Sequence, residues 1–105
     1  MFNLFQWVAL NDTTRLPVAT VTTTPKTLSK TEVFVICNMA TAMTVNLPAA
    51  QATGKIYYIK NINVGIVVIK PNGTETIDGS TTLVMSSRYD CATIADYGTG
   101  TWGIW

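Results

Sequence analysis

Apolar residues along the chain come in short runs, parted at intervals of about 8–12 residues by Gly, Pro, Asn, Asp or Ser. Val18 to Thr23, Glu32 to Asn38, Met43 to Leu47, Lys55 to Asn61, Gly65 to Lys70, Thr76-Ile77, Thr82 to Ser86, Cys91 to Ala95 and Thr101 to Trp105 each read as a strand. Val33-Phe34-Val35-Ile36-Cys37 alternates too little to expose a whole face, which predicts a central strand. Lys55 to Asn61 and Gly65 to Lys70 read as a hairpin joined through Ile62-Asn63-Val64-Gly65, where Asn and Gly can supply positive φ. Ala49 to Gly54 is the one segment that could hold a helical turn, and it is too short for a helix. About nine short strands at this spacing predict an all-β chain, an antiparallel β-sandwich or a jelly-roll-like single domain.

The opening "MFNLFQWVAL" is apolar but too short to span a bilayer, and it lacks the basic region and cleavage site of a signal peptide. Residues 1–16 are therefore expected to form an extended N-terminal arm or a first strand, ahead of an antiparallel β domain over 17–105. As an arm, the segment would offer Phe2, Leu4, Phe5, Trp7 and Leu10 as candidate protein-interface residues.

Composition sharpens this picture. Hydrophobic residues make up 48% and charged residues 12%, about half the share usual in globular proteins. So few charges predict a surface partly covered by protein, in a homo-oligomer or a docked subunit. The seven basic residues are scattered singly and net charge is +1, so no stripe forms to neutralise phosphates and nucleic acid is not an expected partner; nor is a membrane. Cys37 and Cys91 lie in β-like runs and read as small buried hydrophobes, with a disulfide left open. The sequence has no His, which removes the commonest general base and metal ligand together.

Candidate chemistry centres on "KPNGTETIDGST", residues 70–81, where Glu75 and Asp78 stand between Asn72-Gly73 and Asp78-Gly79. Paired carboxylates could serve a sugar cleft or a calcium loop. Asn-Gly and Asp-Gly are also the strongest short hairpin signals, and no EF-hand spacing is present. Asn72, Gly73, Asp78 and Gly79 are therefore read as structural turns, with Ile77 pointing into the core, and no catalytic, cofactor or metal residue is assigned. Asp96-Tyr97-Gly98 reads likewise as a turn in which Asp caps its own backbone. "GTGTWG" lacks the Lys-Ser/Thr end of a phosphate loop. Trp7, Trp102, Trp105, Tyr57, Tyr58, Tyr89 and Tyr97 read as core or subunit-interface residues, or else as a stacking platform for sugars.

"NLPAAQATGKIYYIKNINVGIVVIKPNGTETIDG" followed by "YDCATIADYGTGTWGIW" resembles a β module of bacteriophage virion proteins, found in tail fibres, tail spikes and small capsid-decoration (cement) proteins. The resemblance covers about Thr31 to Trp105. Recurring positions fall on Gly54, Tyr57, Ile59, Lys60, Asn61, Pro71, Ile77, Asp78, Gly79, Gly98 and Trp102. It implies an antiparallel β fold, usually oligomeric, without cofactor or catalysis, located on the capsid or tail surface of a virion. The expected partners are a second or third copy of the chain and the major capsid protein or another virion protein. In a tail module a host glycan would join them. Short length without a stalk ranks decoration ahead of the tail module.

Overall fold

A computed structural model describes residues 16–105, so the candidate interface residues Phe2, Leu4, Phe5, Trp7 and Leu10 lie outside the described residues. The described chain is all-β, with no helix. Ten strands run in order: β1 Val18–Val21, β2 Lys26–Thr27, β3 Phe34–Cys37, β4 Met43–Asn46, β5 Ile56–Asn61, β6 Val67–Lys70, β7 Thr76–Ile77, β8 Leu83–Met85, β9 Cys91–Gly98 and β10 Thr101–Ile104. They form a six-stranded sheet, β1-β3-β5-β9-β10-β7, and a four-stranded sheet, β2-β4-β6-β8.

Successive strands alternate between the two sheets from β1 to β9. Each circuit of the chain lays one strand on each sheet, so β1, β3 and β5 run parallel, as do β2, β4 and β6. The direction then reverses. β8 is antiparallel to β6, β9 to β5 and β10 to β9, while β7 closes the edge parallel to β10.

The uniformly antiparallel arrangement expected from the strand spacing is thus corrected to two mixed sheets. β5 and β6 likewise form no hairpin, because they belong to different sheets. The local turn chemistry is the same in either case. What differs is whether the chain, once turned, returns beside its own strand or crosses to the other layer, and burial decides that. Two-residue β2 escapes the sequence pattern because Lys26-Thr27 carries no apolar alternation.

Strict alternation sets the core. β5 buries Tyr57, Ile59 and Asn61 and exposes Ile56, Tyr58 and Lys60. Val35, Cys37, Ile94 and Trp102 from the same sheet meet Met43, Val45, Val67, Ile69 and Met85 from the other in one continuous cluster. Burial of each large aliphatic side chain contributes about 1.5–3 kcal/mol before conformational entropy is subtracted. β3 is an interior strand, although Phe34 and Ile36 face outward. Both cysteines are free: Cys37 is buried, its thiol pushed up to about 11 by desolvation, while Cys91 is exposed, against the expectation that both are buried. The two residues sit on inward and outward positions of their strands, which sends their side chains to opposite faces of the sheet.

The corners stack as the strands do. Asn63 Nδ2 donates to Asn38 Oδ1 at 3.0 Å, linking the β5–β6 corner to the β3–β4 corner. Gly65 N–H donates to Met39 O at 3.0 Å. A Cβ on Gly65 would lie 2.0 Å from Thr41 O and 2.5 Å from Met39 O, so this glycine supplies space for close backbone approach and not the positive φ its sequence context suggests. Gly65→Ala is expected to destabilise the fold by about 2–4 kcal/mol in urea denaturation, because backbone must move to admit the methyl. Gly98→Ala, where a Cβ would make only ordinary contacts with Thr101, should stay within about 1 kcal/mol of the parent.

Candidate functional site

β9 carries the sequence Cys91-Ala92-Thr93-Ile94-Ala95-Asp96-Tyr97-Gly98, and period-two alternation turns Ala92, Ile94 and Asp96 inward. Asp96 is 2% exposed. A carboxylate at a core position requires partners, and the loop between β4 and β5 supplies them. Asp96 Oδ2 accepts from Gln51 N–H at 2.8 Å, Thr53 N–H at 3.3 Å and Thr53 Oγ1 at 3.1 Å, and Oδ1 accepts from Ala52 N–H at 2.7 Å. Burial pushes this carboxyl up, but the donors from Gln51, Thr53 and Ala52 outweigh it and hold it below the ordinary carboxylate range.

Asp96 therefore caps a segment more than forty residues away in sequence, and the expectation that it caps its own backbone is corrected. The same loop receives Glu75, whose Oε1 accepts from Ala50 N–H at 2.9 Å, and Gly54 N–H donates to the Asp96 carbonyl at 2.9 Å. Five consecutive amides, 50 to 54, are thus satisfied by two carboxylates and one carbonyl. That network holds Ala52 at φ 57° and Gly54 at φ 75° in place of the helical turn considered for this segment.

Glu75 and Asp78 do not share a cleft. Glu75 reaches Ala50, while Asp78 Oδ2 accepts from Ile104 N–H at 3.4 Å. Asn72 O accepts from Glu75 N–H at 2.9 Å around Gly73, whose φ is 54°. Asp78 and Gly79, at φ 48° and 79°, fill a two-residue turn between Ile77 and Ser80, which exchange hydrogen bonds of 2.8 and 2.9 Å. Both central residues left-handed is the type I′ geometry that matches strand twist. Ile77 is buried. Among the described residues, no three His, Cys, Asp or Glu side chains converge as a metal site would need.

The aromatics divide. Tyr57 and Trp102 are buried, their centroids 5.7 Å apart; Tyr57 Oη donates to Ser29 O, and burial with nearby Glu32 pushes its pKa up to about 12. Trp102 is thus a core residue, with an Nε1 that finds no hydrogen-bond partner among the described residues. Tyr97, 57% exposed, and Trp105, 70% exposed, are by contrast on the surface, where they meet edge to face at 5.6 Å. Both rings lie over Gly103, where a Cβ would fall 2.5 Å from Trp105 and 2.8 Å from Tyr97.

This pair sits on the outward face of the six-stranded sheet. Val18, Phe34, Tyr58 and Thr93 follow one another across β1, β3, β5 and β9, and Trp105 N–H donates to Thr93 O at 2.8 Å. Phe34 and Tyr58 stack at 5.1 Å as a ridge. One groove of about 410 Å³ runs between Ile56, Thr93, Ala95, Tyr97 and Trp105, with Asp96 and its capped loop at one end. Another of about 260 Å³ lies between Phe34, Ile36, Lys60, Cys91 and Thr93. Lys60 is the only charged residue at an outward position of β1, β3, β5, β9 and β10. Tyr89, at φ 71°, stands near it with Arg88 5.1 Å from its ring.

Sequence reasoning missed Asp96 and the apolar outer face, yet both leave a signal. Inward alternation places Asp96 among core positions, and the intervening outward positions Ile56, Tyr58 and Thr93 lack the charge of a water-facing strand. The chain matches no protein-family model and no curated protein.

Asp96→Asn is expected to cost about 2–3 kcal/mol at pH 7, since it removes a charge-assisted acceptor and aims an amide N–H₂ at backbone donors. Because the folded carboxyl titrates below its unfolded value, its stabilisation is complete above about pH 4 and is lost as pH falls through the lower folded value. The parent–variant difference in denaturation midpoint should therefore narrow below about pH 4. A gap that stays constant down to pH 2 contradicts the assignment.

Proposed function

We propose that the chain is a non-enzymatic structural protein of a bacteriophage particle, a capsid-decoration protein that docks on the major capsid protein and stabilises the head. The observation that carries the docking part of this reading is the outer face of the six-stranded sheet, apolar and grooved with one charge, Lys60. Support for the virion comes from the resemblance spanning Thr31 to Trp105, and most of the positions that bear it are scaffold, with Lys60 on the outward face. Gly54 and Gly79 take left-handed turns, Tyr57, Ile59, Asn61, Ile77 and Trp102 are buried, and the Asp78 backbone is held by Trp102 O. Glu75 and Asp78, the carboxylates weighed as a catalytic pair, point to different partners, Glu75 to Ala50 N–H and Asp78 to Ile104 N–H, which favours a role without catalysis.

In this reading the two mixed sheets are the layers of a β-sandwich, and the apolar segment ahead of β1 is an arm laid across a capsomer. Phe2, Leu4, Phe5, Trp7 and Leu10 are its contact residues, each contributing on the order of 1.5–3 kcal/mol when buried, before ordering costs. Deleting residues 1–10 should abolish capsid attachment while leaving the thermal unfolding of the β domain unchanged. Full occupancy of the truncated protein on particles, counted by electron microscopy, would remove the decoration role.

One observation favours a second reading, a tail-fibre or tail-spike module that binds a host glycan. Tyr97 and Trp105 are exposed together beside the larger groove, the amphipathic aromatic surface on which a sugar ring stacks. On this reading Tyr97→Ala or Trp105→Ala should lower host adsorption at least tenfold without lowering the melting temperature by more than a few degrees. Unchanged adsorption discards it.

A further inference from the structure

We infer that the outer face of the six-stranded sheet is the self-association surface of the protein, packed face to face against the same face of a second copy about a twofold axis. The inference rests on the same apolar face as the docking reading above but seats a second copy there, leaving capsid attachment to the N-terminal arm, and it does not require the virion.

Three observations select a second copy. The first is area: at their observed exposures Val18, Phe34, Ile56, Tyr58, Tyr97 and Trp105 leave roughly 600 Å² of side chain accessible, close to the ~800 Å² each partner contributes to a standard stable interface. The second is charge. With Lys60 alone on the face, and Arg88 at its margin beside Tyr89, the surface offers no pattern of opposite charges for a charged partner to match, whereas another apolar face suits it.

The third is relief. The Phe34–Tyr58 stack and the Tyr97–Trp105 pair stand as ridges, and the grooves of about 260 and 410 Å³ lie alongside them. A twofold axis makes residue i of one copy meet residue j of the other and the reverse, so alternating ridges and grooves on one surface are self-complementary. Small outward residues at Thr93 and Ala95 let a facing side chain descend between the ridges. Two sheets packed this way stand about 10 Å apart with strands inclined at about 30°.

The test is the mass of the full chain by sedimentation velocity and light scattering, across a concentration series up to about 100 µM. A two-chain species is expected. Tyr58→Glu and Trp105→Glu should each weaken it at least tenfold and together give a monomer that keeps the parent far-UV circular dichroism and unfolds cooperatively. Val84→Glu places a charge on an exposed position of the four-stranded sheet and should leave the mass unchanged. A monomer throughout, a three-chain species, or a dimer disrupted by Val84→Glu and not by the other two overturns the inference. So does a monomer that dimerises only after residues 1–10 are deleted, since the chain's own arm would then cover the face. A dimer absent from virions defeats the decoration role and leaves this inference standing; a monomer found on virions does the reverse.

Discussion

Backbone amides at the places where the chain passes from one sheet to the other must find acceptors, and a buried carboxylate on β9 meets the most demanding of these needs. Asp96 takes the N–H groups of Gln51, Ala52 and Thr53, and Glu75 takes that of Ala50. Without those acceptors the β4–β5 loop would leave consecutive donors unpaired beside the core, each costing about 1–3 kcal/mol. With them, the loop sits firmly enough to start β5 in the register that pairs Phe34 with Tyr58 and Tyr58 with Thr93. Everything on the outer face follows from that register.

The opposite end obeys the same constraint with a neutral side chain. Asn61, 1% exposed, donates from Nδ2 to Gly65 O and Ser87 O and accepts at Oδ1 from Asn63 N–H. Its own main chain exchanges hydrogen bonds with Asp90 O and Tyr89 N–H. One amide thereby binds the β5–β6 corner to the β8–β9 connection, and it leaves room for the Gly65 backbone to rest against Met39 and Thr41. Asp96 and Asn61 are the only polar residues among the fully buried ones described. Asn61 ends β5, and Asp96 follows the last β9 residue paired with β5, places where a polar group can bond to a loop without interrupting the apolar core.

This division of labour bears on function. Asp96, whose two oxygens already accept four donors, is a poor candidate for proton transfer or for ligating a hard cation, because its charge is already compensated. The outward side of the larger sheet is a surface of a different kind. There, rings packed over Gly103 and along the Phe34–Tyr58 stack create relief on what would otherwise be a flat pleated plane. The groove that reaches Asp96 is also lined by Ala52 and Gly54 of the capped loop, so residues that hold the fold also shape its outer surface.

Strand positions, the turns at Asn72-Gly73 and Asp78-Gly79, and the burial of Ile77 follow from the sequence by itself, because alternation and left-handed φ are local properties. The same alternation leaves a signal of inward and outward faces, but sequence reasoning missed it at Asp96, an inward position within β9, and at Ile56 and Tyr58, whose outward positions mark an apolar surface. Tertiary structure alone decided which strands are neighbours. A Gly- or Asn-rich turn reverses the chain whether the next strand joins the same sheet or the opposite one, so β5 and β6 could be read as a hairpin and prove to lie on separate layers. The partners of Asp96 and the steric need at Gly65 and Gly103 belong to that second kind of information, since each depends on segments brought together from distant parts of the chain or from across a strand pair. Local chemistry fixes where the chain bends, and the joint requirement to bury apolar faces while satisfying every buried amide fixes where it goes next.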